Sequence, residues 1–138
     1  MNGLQRLVID TNWLLDLWVF DDPRAQPLRA ALEAGKLCWL ATQPMRDEFV
    51  RVLGYPAVAR RLQADCRDPA ALLAEFDCRV EWADPAPRAP VRCADPDDQV
   101  FIDLALQRQA LLLSKDSAVL ACSKRLQMLG IAVQSHWP

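Results

Sequence analysis

The stretch Leu7-Val8-Ile9-Asp10-Thr11-Asn12-Trp13-Leu14-Leu15 decides the fold class. Three apolar residues stop at an aspartate, and a helical pattern starts at once, running to Trp18 and ending near Asp21-Asp22-Pro23. A short, unbroken apolar run suits a strand covered on both faces, because both sets of its side chains are buried. Asp10 then stands just past the carboxyl end of that strand, where open parallel sheets bind their ligands.

The same alternation recurs downstream. Pro27 sits in the first turn of a second helical stretch that closes at Gly35, and Leu37–Ala41 is a second apolar run. Thr42 and Pro44 suit the N-cap and first turn of a third helix, which stops at Gly54-Tyr55-Pro56. A further helical stretch spans 57–76, divided or bent at Asp68-Pro69. The proline-rich segment 84–90 cannot be a helix or a central strand and is expected as a surface loop. Asp97 and Asp98 open a helix that reaches Arg108, 110–113 is a strand candidate, 117–129 a helix closed by Gly130, and 131–133 a last strand. Hairpin turns are missing. The pattern predicts an α/β fold of the doubly wound, three-layer kind, a parallel sheet with helices on both sides, in one domain over 1–138.

Composition is compatible with such a domain and narrows its chemistry. The chain is 52% hydrophobic and 25% charged, with a formal net charge of -2 and a pI near 5.3. No global charge draws it to nucleic acid, so any such binding rests on local basic groups or bound cations. The cysteines Cys38, Cys66, Cys78, Cys93 and Cys122 have no C-x-x-C spacing and are expected mostly as small core hydrophobes. His136 is the single histidine, which leaves little support for histidine acid/base chemistry. The first residues carry no signal-peptide pattern and no apolar run approaches a membrane span, so a cytoplasmic protein is expected.

The acids carry more information. Asp10 and Asp116 each follow an apolar run, and each taken alone could serve only as a helix N-cap. Glu48 lies three after Met45 and four before Val52, inside the apolar stripe of its helix. An unpaired carboxylate is costly to bury, so Glu48 either meets a cation or rolls toward solvent. Asp98 stands three and four residues before Phe101 and Ile102 and points to the sheet side, with Asp95 and Asp97 as competing caps. Four carboxylates gathered in one cleft repel one another unless cations are present. Hard divalent ions take such oxygen ligands, and ions so held activate water and steady charge on a phosphodiester.

At this point the chain resembles a known family. Val8-Ile9-Asp10-Thr11-Asn12 is similar to the opening motif of PIN domains, and Glu48 in the helical run Arg46–Leu53 resembles the family's second acid. Asp95-Pro96-Asp97-Asp98 with the apolar helix after it resembles the third motif, and Leu113-Ser114-Lys115-Asp116 the fourth, where the family often has Thr-Gly-Asp or Ser-Gly-Asp. The resemblance spans about residues 5 to 134 and is nearest to the branch that supplies toxins of toxin–antitoxin systems. It implies a five-stranded parallel sheet of order 3-2-1-4-5. It also implies that Asp10, Glu48, Asp98 and Asp116 surround one or two Mg²⁺ or Mn²⁺ ions and hydrolyse RNA, with a small antitoxin protein as partner. Lys115 departs from the usual glycine and stands as either a phosphate contact or a solvated lysine. Thr11, Asn12 and Ser114 are candidates to bind a water or a substrate phosphate, Asn12 equally a helix-start cap. Arg46, Arg51, Lys115 and Lys124 are candidate phosphate contacts. Single-stranded RNA is the expected substrate, because its backbone enters a narrow cleft without duplex opening.

Three other readings compete. A receiver domain needs a third-strand aspartate, and a lysine after a later strand, and Cys38-Trp39-Leu40-Ala41-Thr42 offers no such acid; a haloacid-dehalogenase-like phosphatase needs D-x-D where Asp10-Thr11-Asn12 stands. The third is a non-catalytic RNA- or protein-binding module that keeps the acids for structure. Trp13 and Trp18, five apart on one helix, are not both expected at the centre of a buried face, which leaves one either for a homodimer or partner interface or for a partly exposed edge of the core.

Overall fold

In the computed structural model, which describes residues 4–137, five strands form one parallel sheet in the order β3-β2-β1-β4-β5. The strands are β1 (Gln5–Ile9), β2 (Leu37–Ala41), β3 (Val80–Trp82), β4 (Leu111–Leu113) and β5 (Val133–Gln134). Between them run α1 (Thr11–Trp18), α2 (Gln26–Glu33), α3 (Gln43–Leu53), α4 (Pro56–Ala64), α5 (Pro69–Arg79), α6 (Gln99–Arg108), α7 (Ser117–Leu120) and α8 (Ser123–Met128). The helices cover both sides of the sheet, as the unbroken apolar strands require. The end residues of the expected span, Met1–Gly3 and Pro138, lie outside the described residues.

β1 is central. It pairs with β2 through Leu7 and Trp39 and with β4 through Ile9 and Leu113. Its burial rises along the chain, from exposed Gln5 and Arg6 to buried Leu7, Val8 and Ile9. The strand therefore delivers its carboxyl end into the protein, and with it Asp10.

Trp18, Trp39, Phe49 and Phe76 join α1, β2, α3 and α5 in one aromatic cluster, with neighbouring ring centroids 5.0 to 6.0 Å apart. Offset and edge-on rings at such spacing add to the area they bury. Trp13 and Trp18 are both buried, at 1% and 7% exposure. The expectation that one of them faces a partner is therefore corrected. Helix α1 sets Trp18 against Trp39 of β2 and Phe49 of α3, and its buried residues run through Thr11, Trp13, Leu14, Leu17 and Trp18. That arc is wide enough for both rings. Trp82 is the exposed tryptophan, at 44%.

Several boundaries move. β3 carries no apolar run to mark it, because Val80-Glu81-Trp82 is a short edge strand with Glu81 and Trp82 exposed. The last strand lies at Val133–Gln134 rather than 131–133, since buried Ile131 closes α8 by donating its backbone N–H to the Leu126 carbonyl. The expected helix over 117–129 is two, α7 and α8, with a turn at Ala121 and Cys122. The cysteine expectation holds for three of the five: Cys122 lies in the core and half-buried Cys38 and Cys93 pack against it, while Cys66 and Cys78 are exposed, and all are free thiols. Other signals hold. Asp68 caps α5 at Ala70 N, Pro69 follows it, and Gly130 takes a positive φ of 84° just past α8.

Candidate metal centre

The residue after β1 is fixed from two sides. The Asp10 N–H donates to the Leu113 carbonyl at 2.9 Å, which ties it to the end of β4. Asp10 is 3% exposed. Its Oδ1 accepts from Asn12 N at 2.9 Å as the cap of α1, and its Oδ2 accepts from Ser114 Oγ at 2.6 Å. The fully buried Ser114 hydroxyl in turn accepts from Asp116 N at 3.1 Å. One serine thus holds both strand-end acids in register. Asp116 caps α7 through Oδ1, which accepts from Ala118 N at 2.8 Å. Capping and site-building are not alternatives here, because each cap occupies one face of a carboxylate.

Glu48 reaches the same end of the sheet from α3. It is half-buried, and its Oε2 accepts a hydrogen bond from the Thr11 hydroxyl. Asp98 closes a single 3-10 turn, Pro96–Asp98, that leads into α6. It is 8% exposed, and its Oδ2 is buried with no hydrogen-bond partner. Asp95 opens that turn and caps Asp97 N at 3.0 Å. Asp95, Asp98 and Asp116 each offer a carboxylate oxygen, and these atoms lie within 4.8 Å of one another.

Electrostatics joins the group. Burial pushes the Asp98 carboxyl up to about 7, and the charges of Asp116, Asp10, Asp95 and Glu48 add to it in that order. Burial also raises Asp10, against the hydrogen bonds from Ser114 and Asn12, with a smaller push from Asp116. Glu48 is raised by burial and by Asp10 and Asp97, against the Thr11 hydrogen bond and the nearby Arg51. The charges of Asp10, Glu48 and Asp116 therefore converge on Asp98 at the carboxyl end of the sheet. The donor set is hard oxygen, and the unpartnered Asp98 Oδ2 lacks the hydrogen bond that burial demands. These residues fit a hard divalent cation.

The other candidates separate. Thr11 and Ser114 are buried and bound to Glu48 and Asp10, so they position acids. Asn12 is exposed beside the cleft and its backbone N–H completes the Asp10 cap. The Lys115 ammonium pairs with Asp16 and lies 4.2 Å from the Trp13 ring centroid, so it is engaged within the protein. Arg46 is held by both carboxylate oxygens of Asp77. Arg51 lines a groove with Glu48, and Lys124 is exposed on α8. Asp95 is the acid that sequence reasoning treats only as a cap. A signal for it exists: it stands three residues before Asp98, a spacing at which a 3-10 turn aligns side chains on one side.

Comparison with known proteins agrees with this architecture. A sequence model of the PIN domain matches residues 6–118. The chain belongs to the PIN-domain family. The matched stretch contains all four motif acids and Asp95. A chain in the crystal structure of VapBC2 from Rickettsia felis, bound to a DNA fragment from their promoter, superposes with a TM-score of 0.64 at 11% identity, covering 94% of this PIN domain chain and 98% of that one. At that identity the likeness is one of fold, and its coverage carries that likeness past residue 118. No curated protein sequence matches this one.

Proposed function

We propose that this PIN domain is a metal-dependent ribonuclease that hydrolyses phosphodiester bonds in single-stranded RNA, and that it is the toxin of a toxin–antitoxin pair acting in the cytoplasm. The observation that carries the nuclease reading is the trio of carboxylate oxygens from Asp95, Asp98 and Asp116 within 4.8 Å, with Asp98 Oδ2 buried and unpartnered. Like charges so close raise one another's proton affinity, and a divalent cation relieves them.

Asp98 and Asp116 would hold Mg²⁺ or Mn²⁺, with Asp95 beside them and Asp10 completing the acidic wall. When bound, such an ion supplies Lewis-acid stabilisation of charge on the phosphate and lowers the pKa of water at the site. The chain does the positioning. Ser114 Oγ holds Asp10 Oδ2 and the Asp116 N–H together, so the two acids move as a unit. Thr11 holds Glu48 by Oε2, which leaves Oε1 to orient the attacking water or accept its proton. Burial favours that transfer, because it raises the proton affinity of Glu48. The likeness in fold to a chain of VapBC2 supports a small antitoxin protein as partner.

The test is cleavage of a panel of single-stranded and structured RNAs. Cutting is expected with Mg²⁺ or Mn²⁺, is stopped by chelation, and is lost in Asp10→Asn and Asp116→Asn proteins that still fold. Cleavage unchanged in Asp10→Asn would point to a contaminant. No cleavage, with no divalent binding at millimolar metal, would favour a non-catalytic binding module.

A further inference from the structure

The proline-rich connector between β3 and α6 is a built surface. Two polar side chains of α6, Gln99 and Asp103, are buried at 8% exposure each, and they hold the connector at every second residue. Asp103 Oδ1 accepts from Ala89 N at 2.8 Å and from Gln99 Nε2 at 2.8 Å. Gln99 Nε2 also donates to the Val91 carbonyl at 2.9 Å, and Gln99 Oε1 accepts from Cys93 N at 2.7 Å. Ala89 and Val91 are buried as a result, while Arg88, Pro90 and Arg92 are exposed. The connector bends at Pro90 and Val91, and around that bend Arg88 and Arg92 both stay exposed.

These two guanidinium groups are unlike most others in the protein. Arg24, Arg29, Arg46, Arg61, Arg79 and Arg108 are held in ion pairs. Among the described residues Arg88 and Arg92 have no hydrogen-bonded or ion-paired side-chain partner; Arg51, Arg60 and Arg67 share that state, but of these three only Arg51 lines a groove that reaches the same turn. Arg88 and Arg92 line a groove of about 270 Å³ with Pro96. Arg51 lines another of about 350 Å³ with Glu48, Asp97 and the same Pro96. The two grooves therefore meet at Pro96, within the Asp95–Asp98 turn.

We infer that Arg51, in one groove, and Arg88 with Arg92, in the other, form a phosphate track that draws a single strand of RNA across the Asp95–Asp98 turn. This rests on the nuclease reading of the acidic centre. Arginine forks suit phosphate oxygens, and unpaired ones contribute most to binding a polyanion, since no internal partner must first be displaced. Arginines set beside a cluster of carboxylates suit a polyphosphate that brings or shares divalent cations there. An acidic peptide has no such use for the centre and would meet its carboxylates directly.

The experiment measures binding of a fluorescein-labelled, mixed-sequence RNA of roughly 12 nucleotides, a length within the span of single-strand sites. It uses the full chain carrying Asp10→Asn, in Mg²⁺, followed by anisotropy across a salt series. Arg88→Ala with Arg92→Ala is expected to weaken binding about tenfold and to flatten the slope of log K against log salt by about 1.4, at ~0.7 for each phosphate no longer neutralised. Arg88→Lys with Arg92→Lys should restore most of both, and thermal melts establish that each variant is folded. Removing the same charge elsewhere, with Lys36→Ala and Arg60→Ala, should leave affinity and slope as they were. Equal losses in the two double-alanine proteins, an unchanged slope, or displacement of the RNA by polyglutamate at equal charge would overturn the track. Cleavage by the wild-type chain is read separately. Cleavage with arginine-independent binding sinks the track and spares the nuclease, whereas arginine-dependent binding without cleavage does the reverse.

Discussion

Asp98 and Asp103 lie five residues apart at the start and middle of the same helical segment, and both are 8% exposed. Their surroundings differ completely. Asp103 Oδ1 receives two donors, Ala89 N and Gln99 Nε2, and the carboxylate anchors a loop. Asp98 has an oxygen with no donor at all and faces other carboxylates, which together with its burial push it up to about 7. Burial of an acid is thus common to structure and to function in this molecule. The feature that separates them is the supply of donors: the structural acid Asp103 is given hydrogen bonds, and Asp98, the acid of the proposed metal site, keeps a buried oxygen without one.

Exchanging the two roles gives the largest expected effects. In Asp98→Asn the fold should persist while RNA cleavage drops roughly a thousandfold, since several kcal/mol of charge stabilisation is lost at tenfold per ~1.4 kcal/mol. In Asp103→Ala the loss should be in stability, by about 3 kcal/mol, because two buried donors are orphaned. Urea unfolding and cleavage kinetics on both proteins check the pair. A destabilised but equally active Asp98→Asn would reverse the comparison.

A smaller effect lies in pH. The folded-state pKa of Asp98 is above its unfolded value, so folding takes up a proton between about 3.8 and about 7. Its contribution to stability is full below the lower value and is lost as pH rises through the upper one. Asp10 and Glu48 shift in the same direction. In chelator, Asp98→Asn should therefore be more stable than wild type at pH 8, on the order of 1 kcal/mol, with the difference fading toward pH 4. A difference independent of pH would mean that the charge of Asp98 is not what strains the metal-free protein.

Much of this is legible in residue order, for identifiable reasons. Leu7-Val8-Ile9 and Leu37–Ala41 are apolar on both faces, which marks strands within a covered parallel sheet, and the acids after β1 and β4 follow from where those strands end. β3 is not legible, because an edge strand of three residues with an exposed glutamate and tryptophan carries no such mark. Asp95 reads as a cap because it is one; that the trio of Asp95, Asp98 and Asp116 gathers depends on packing between segments far apart in sequence. Gln99 and Asp103 are polar residues within an apolar helix, and nothing local names their partners at Ala89, Val91 and Cys93. The free state of Arg88 and Arg92, against the paired state of Arg46 and Lys115, is likewise a property of tertiary neighbours.

The central claim is that the donor-poor carboxylates exist to hold a divalent cation. Calorimetric titration of Mn²⁺ into chelator-stripped protein tests it most directly, with wild type, Asp98→Asn and Asp103→Asn side by side. The account predicts saturable binding by wild type and by any Asp103→Asn protein that remains folded, tightening as pH rises through about 7, and its loss in Asp98→Asn. Binding by Asp98→Asn equal to wild type, or no binding by wild type at millimolar Mn²⁺, would contradict it.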